Sequence, residues 1–205
     1  MQPERRLYTS TLSGNSYKVR LFLGLLGLEY TTIEVDLRGG EHRRAPFLAL
    51  NPLGQVPVLV DGDTLLADSQ AILVYLARRY AEAGWLPLDP LPLARITRWL
   101  SIAANDIQHG PATARIIALF GLKLDGELAL KRSATILAHM DAHLTQQRWL
   151  VGDHATIADV ACYPYIALAP EGNIDLQHYP QLSLWLARIE ALPGFVPMYS
   201  PAGPA

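Results

Sequence analysis

Cysteine is almost absent from this chain: one residue, Cys162, in 205. That excludes a disulfide framework, a zinc cluster and a Cys-x-x-Cys redox pair. Cys162 lies in the apolar run Ile157-Ala158-Asp159-Val160-Ala161-Cys162, where buried packing is its expected role. An excess of either charge is lacking too, with 17 Lys and Arg against 19 Asp and Glu. Nine basic and eight acidic side chains precede residue 81, and eight and eleven follow it, so no basic stripe points to nucleic acid. No apolar run reaches the ~18 residues of a membrane helix. The start, Met1-Gln2-Pro3-Glu4-Arg5-Arg6, enters a strand-like segment without the apolar core of a signal peptide. These absences lead us to expect a cytoplasmic protein without metal, membrane or nucleic-acid partner. No internal repeat is visible. What the chain does have is a half-apolar composition and enough length for one or two domains with a sizeable core.

Taken in order, Leu7 to Thr11 alternates weakly and reads as a strand, and Leu12-Ser13-Gly14-Asn15 is turn chemistry. Ser16 to Gly27 then carries Val19, Phe22, Leu23 and Leu26 on one helical face, with Gly27 closing it. Tyr30 to Asp36 is β-branched and alternating, a second strand. A polar Gly-rich loop, Arg38 to Arg44, precedes a helical turn over Pro46 to Leu50. Pro57 to Val60 and Thr64 to Leu66 flank Asp61-Gly62-Asp63, a hairpin signal, and Asp68 to Tyr80 reads as a long helix. This is a compact first domain over residues 1–80. Residues 81–92 hold three prolines and a glycine and form the linker. Residues 93–205 are helical in pattern: Leu93 to Gly110, an interruption at Gly110-Pro111, resumption to Gly121, then Glu127 to Gln147, Thr156 to Leu168 and Gln181 to Leu192. Phe195 to Ala205, with three prolines, is expected to lie extended on the surface. Trp85, Trp99, Trp149 and Trp185 are expected in the core.

Three short motifs carry chemistry. In Asn51-Pro52-Leu53-Gly54-Gln55-Val56-Pro57-Val58, Pro57 stands where a strand begins, a position that proline tolerates, and Val56-Pro57 is a candidate cis bond. A cis bond would turn the Val56 N–H and C=O toward an extended ligand backbone; an ordinary proline turn is the alternative. Asp68-Ser69 opens a helix, where an acid and a hydroxyl serve either as an N-cap or as ligand groups. Thr156-Ile157-Ala158-Asp159 has the form of a capping box, with a structural role.

Val56-Pro57, Asp68-Ser69 and Thr156-Ile157-Ala158-Asp159, in this order around a Pro-rich linker, resemble the cytosolic glutathione S-transferases over nearly the whole chain. Leu12-Ser13-Gly14-Asn15-Ser16-Tyr17-Lys18-Val19 resembles the serine-using theta-like and related bacterial members. The resemblance implies an α+β fold, with a thioredoxin-like domain that binds glutathione followed by an all-α domain that forms the electrophile pocket. It implies that Val56 pairs with the cysteinyl unit and that Asp68 and Ser69 hold the γ-glutamyl end. Gln55 would contact the glycine end or the backbone of glutathione, and His42 would lie near the glycine carboxylate, although a solvated loop histidine also accounts for His42. Ser13 would donate to the thiolate, with Asn15 and Ser16 as rivals. Ile102, Asn105, Asp106 and His109 are candidates for the electrophile pocket, between Ser13 and the helix from Leu93. Arg115 fits a structural ion pair better than a ligand contact. The family also implies a homodimer, with glutathione as co-substrate.

The implied function is conjugation of glutathione to hydrophobic electrophiles, a detoxification chemistry. Two readings compete with it: glutathione-dependent disulfide or peroxide reduction, and a non-catalytic binding module on the same fold. The lack of cysteine at the Ser13 turn weighs against redox chemistry through a protein thiol, and the intact Val56-Pro57 and Asp68-Ser69 pairs weigh against a scaffold.

Overall fold

The computed structural model describes residues 4–199. They form two compact units. One runs to Tyr80 and takes in the described residues from Pro193 on; the other is Ala81–Leu192. The helical domain therefore ends earlier than the sequence pattern suggested. From Phe195 the described chain does not lie free on the surface. The Tyr17 hydroxyl donates to the Val196 carbonyl at 2.8 Å and Arg20 Nη2 to the Met198 carbonyl at 2.9 Å. Gly24, with no Cβ, leaves room for Val196 against the helix, and Met198 is buried. Positions 200–205 of the extended-tail expectation lie outside the described residues.

In the first unit, β1 (Arg5–Thr9), β2 (Thr31–Glu34), β3 (Val58–Asp61) and β4 (Thr64–Ala67) form one sheet in the order β2-β1-β3-β4. β1 and β2 are parallel, which requires the crossover that α1 (Gly14–Leu25) supplies. β3 pairs antiparallel with both β1 and β4. Side chains alternate across the sheet. Tyr8 and Val58, partners in register, therefore share a face, where they meet Val35 and Phe47, the latter from α2 (Ala45–Leu48). Leu7 and Leu59 occupy the opposite, fully buried face with Val19, Phe22, Leu73 and Leu76 of α1 and α3 (Ser69–Tyr80). This is the expected thioredoxin-like layering. Asp61, read as a turn residue, is the last residue of β3. It is buried 3.3 Å from Arg5 Nε, and its other oxygen accepts from the Tyr75 and Tyr80 hydroxyls.

The second unit is helical. α4 (Pro90–Ile102) absorbs the end of the proline-rich linker, because proline suits the first helical turn. Gly110-Pro111 does not interrupt the run. Ala103–Ala112 widens to a π-helix that leads into α5 (Thr113–Phe120), a geometry able to house a residue without an N–H, and the Thr113 hydroxyl donates to the Gln108 carbonyl at 2.8 Å. Gly110 is the contact point with α6 (Gly126–Gln146): a Cβ there would lie 3.0 Å from the Ser133 nitrogen. Trp99, Trp149 and Trp185 are core residues as expected, whereas Trp85 is only half-buried. Cys162 is fully buried, with Sγ 3.7 Å from the Trp99 carbonyl. Arg115 is buried against Glu171 at 2.6 Å, the structural pairing expected of it.

The capping box opens α7 (Ile157–Ala167). Asp159 Oδ2 accepts from the Thr156 N–H at 2.9 Å, and the Thr156 side chain caps the first turn in return. Asp159 does more than the box requires. Its Oδ1 accepts from the Leu150 N–H at 3.0 Å and from Trp185 Nε1 at 2.9 Å, which ties in α8 (Pro180–Glu190). Asp141 of α6 similarly accepts from the Gln181 and Leu182 N–H groups at the start of α8.

His143 packs edge-on against Trp99 and hydrogen-bonds the Leu150 carbonyl at 3.0 Å. Burial lowers its pKa below the ordinary 6.5, and nearby His139 and Arg98 add to the effect. The unfolded chain therefore takes up the proton first. The contribution of His143 to stability is whole above pH about 6.5 and is lost as pH falls through the lower folded-state value. Chemical denaturation between pH about 7.5 and about 5.5 should show a steeper loss of stability in the parent than in His143→Gln; parallel curves would contradict this assignment.

Candidate functional site

The turn after β1 is held from three directions. The Thr11 N–H donates to Glu34 Oε1 at 2.7 Å, the Val35 N–H to the Thr9 carbonyl at 2.8 Å, and the Ser13 N–H to the Ser10 carbonyl at 2.9 Å. α1 begins at Gly14, two residues before the expected start, because Ser13 is its N-cap. Ser13 Oγ accepts from the Ser16 N–H at 3.1 Å. A serine hydroxyl has two lone pairs and one proton, so the cap occupies an acceptor site and leaves the proton available to a ligand. The N–H groups of the first helical turn bring partial positive charge to the same place.

The two rivals are engaged differently. Ser16 is fully buried, and its Oγ accepts from the Ser10 N–H at 3.4 Å. Asn15 is half-buried, and its Oδ1 accepts from the buried Lys18 ammonium at 2.8 Å.

Val56-Pro57 is a cis bond, as expected. Val56 is half-buried beside Phe47 and Val58, and among the described residues its backbone N–H and C=O have no partner. The loop leading to it is latched by Asn51, whose side chain accepts from the Leu53 N–H at 3.1 Å and donates to the Gln55 carbonyl at 2.8 Å. The Gln55 side chain is left exposed. Gly54, at φ +61°, lies close against this loop's neighbour: a Cβ there would be 2.9 Å from the His42 carbonyl. That approach sets the His42 backbone against Gly54, the residue before Gln55. His42 sits in the short 3₁₀ turn Glu41–Arg43, with Nδ1 buried and unpaired among the described residues, while Nε2 accepts from Arg43 Nε at 3.3 Å.

Asp68 and Ser69 divide the work at the start of α3. Asp68 has φ +75°, a left-handed conformation that Asn and Asp tolerate better than most residues. Its Oδ1 accepts from the Gln70 and Ala71 N–H groups at 2.8 and 3.0 Å. It is the N-cap, and it fills two of the donor sites that the sequence left open for an anion. The Ser69 hydroxyl and N–H, by contrast, have no partner among the described residues. Asp68 keeps its second oxygen toward solvent. The first unit thus holds a hydroxyl at Ser13, an unpaired strand-like backbone at Val56 and an unpartnered hydroxyl and N–H at Ser69. Together these suit an extended peptide-like molecule with a carboxylate.

In the second unit, Ile102, Asn105, Asp106 and His109 do come together. They line one side of a groove of about 550 Å³ whose other side is α6 from Leu128 to His139. Sequence reasoning missed that α6 side. It also missed Glu34 and Asn51, which act only through residues distant in sequence or through their own loop's backbone.

Two family models match the chain: "Glutathione S-transferase, N-terminal domain" over residues 12–79 and "Glutathione S-transferase, C-terminal domain" over residues 123–193. The chain is 34% identical to glutathione S-transferase 3 of Zea mays, with 93% of this chain and 90% of that protein covered. It is 33% identical to the maleylacetoacetate isomerase of Pseudomonas aeruginosa, with 98% and 96% covered. A crystal structure of a glutathione S-transferase from Pseudomonas fluorescens superposes with a TM-score of 0.89 at 36% identity, over 96% of this chain and 99% of that one.

The Asp68 cap makes its own prediction. Asp68→Ala should cost ~1 kcal/mol or somewhat more, since alanine loses the cap and fits the positive φ poorly. Asp68→Asn should stay close to the parent, because asparagine meets both needs. Equal losses in urea denaturation would show that the carboxylate's charge, not its geometry, holds the helix end.

Proposed function

Because this chain belongs to the glutathione S-transferase family, we propose that it binds glutathione in its first unit and ionises the thiol for attack on a hydrophobic electrophile. The observation that carries this reading is Ser13: a cap whose acceptor is used and whose proton is not, at the positive end of α1. A free thiol has pKa about 8.5, and such surroundings lower it by stabilising the thiolate. In the proposed mode the Ser13 hydroxyl donates to the sulfur and is not itself the nucleophile. Val56 pairs by backbone with the cysteinyl unit. The γ-glutamyl carboxylate meets the Ser69 hydroxyl and N–H, and the ammonium meets the outward oxygen of Asp68. Gln55 and His42 serve the glycine end. The burial of Ser16 and the Lys18 contact of Asn15 favour Ser13 over both rivals. Ile102, Asn105, Asp106 and His109 are proposed for the electrophile. Cytoplasmic detoxification by a homodimer is the setting that this reading implies.

Loss of one charge-assisted hydrogen bond removes roughly 1.5–3 kcal/mol, equivalent to about one to two units of thiol pKa. Ser13→Ala should raise the pKa of bound glutathione by that amount, read from thiolate ultraviolet absorbance against pH, while glutathione still binds. Ser13→Gly is the companion variant, since glycine at an N-cap costs the helix only a few tenths of a kcal/mol; it should show the same shift with little loss of stability. Asn15→Ala and Ser16→Ala should titrate like the parent. A shift in Asn15→Ala alone moves the donor to Asn15, and no shift in any variant removes side-chain donation at this turn from the mechanism.

Asp68→Asn also separates capping from ligand binding. If the carboxylate holds the glutathione ammonium, this well-capped variant binds glutathione more weakly; unchanged affinity would leave Asp68 with its cap alone. Sedimentation should give a dimer, of the twofold kind that predominates among oligomers, and a monomer across a wide concentration range would oppose that assembly.

A further inference from the structure

His154 is a titratable group that thiol activation does not use. It belongs to the loop that enters α7, and both of its ring nitrogens are engaged. Nδ1 meets Asp153 Oδ1 at 2.6 Å, and Nε2 meets the carbonyl of Gly84, 70 residues earlier in the chain, at 3.0 Å. Gly84 is the middle residue of the 3₁₀ turn Ala83–Trp85, in the proline-rich linker that leads to α4. Its missing side chain makes room for the contact, since a Cβ there would lie 2.8 Å from Nε2. The histidine end of this bridge is firmly based. Two residues on, the Thr156 N–H and hydroxyl are both bonded to the buried Asp159. The linker end is a single short turn, in which the Trp85 N–H donates to the Glu82 carbonyl at 3.1 Å.

A carboxylate and a carbonyl can only accept. Neutral imidazole has one N–H and satisfies one of these two partners, whereas imidazolium has two and satisfies both. When a proton leaves, the remaining N–H stays with Asp153, because the charged acceptor is the stronger one. Nε2 then turns a lone pair toward the Gly84 oxygen, and the contact becomes repulsive. We propose that His154 is a proton-operated latch: as imidazolium it ties the linker to the loop before α7, and it releases the linker when the proton is lost. The charged groups acting on the ring are Asp153 of its own loop and the buried Asp159 of α7, while the linker turn presents the Gly84 carbonyl. The Asp153 hydrogen bond, aided by the Gly84 carbonyl, holds the His154 pKa above the ordinary 6.5 against the partial burial of the ring. The latch is therefore whole below pH about 6.5 and is lost as pH rises through the higher folded-state value, the opposite sense to His143. It operates whether or not glutathione is bound.

The test is amide hydrogen exchange at Trp85, measured by nuclear magnetic resonance on the full chain between pH about 5.5 and about 9. The rate in His154→Ala is divided by the rate in the parent at each pH, so that the pH dependence of the exchange chemistry cancels. More than half of the His154 side chain is exposed, which keeps the effect small. The ratio should be about two- to fivefold at pH about 5.5 and should converge on one at pH about 9. A ratio of one throughout would show that the contact does not hold the linker. A ratio that stays undiminished at the alkaline end would show that holding it needs no proton. Either result overturns the proposal. Gly84→Ala is the companion variant, since it crowds the ring out of the contact and leaves His154 and Asp153 in place. It should loosen Trp85 at low pH as His154→Ala does, and lower the titration midpoint of the His154 ring. An unchanged midpoint in Gly84→Ala also overturns the latch, because the linker carbonyl then has no stake in the proton.

Discussion

The helical unit depends on one buried carboxylate. Asp159 is 1% exposed and accepts from the N–H groups of Leu150 and Thr156, from the Thr156 hydroxyl and from the Trp185 indole. Burial pushes its pKa up, and the donors around it pull the other way. Each donor left unsatisfied in the interior costs ~1–3 kcal/mol, so the group acts as a clamp whose parts fail together. Through it the chain before α7, the start of α7 and the middle of α8 are fixed to one another, and Asp141 fixes the start of α8 to α6 in the same manner.

The first unit uses the same device at its surface, with a different result. Ser13 and Asp68 are both helix caps, and each retains a polar atom that the cap does not consume. Folding thereby orients the groups that the proposed mechanism needs. A hydroxyl already held by the Ser16 N–H loses little further freedom on meeting a ligand, which is the advantage of preorganised donors. The Asn51 latch and the Glu34 anchor extend this: neither faces a ligand in the proposed mode, yet each fixes a loop that does.

What could be read from the sequence was local. The proline before β3, the Asp-Gly hairpin and the Thr156 box each declare themselves within a few residues, and their order carried the family resemblance. Helix starts were displaced by a residue or two wherever the cap had been read as the turn, as at Ser13, or as the first helical residue, as at Asp68. Features that close over long stretches were not legible. Asp61 looks like turn chemistry until Arg5, 56 residues earlier, is seen beside it. Gly110-Pro111 looks like a break because its compensation, a wider helical turn and the bare backbone approach to Ser133, exists only in three dimensions. The return of Val196 and Met198 to α1 depends on the missing side chain of Gly24, which no periodicity announces.

The burial of Cys162 has a consequence for durability. In the proposed mode the protein would gather ionised thiols at a surface site, and thiol–disulfide exchange proceeds by attack of a thiolate on an accessible sulfur. Here the chain's single sulfhydryl is fully buried and faces the Trp99 carbonyl, out of reach of small disulfides. While the chain stays folded, exchange therefore finds no accessible protein sulfur, so that an oxidising medium alters the small-molecule thiols around the protein and leaves its one cysteine unchanged.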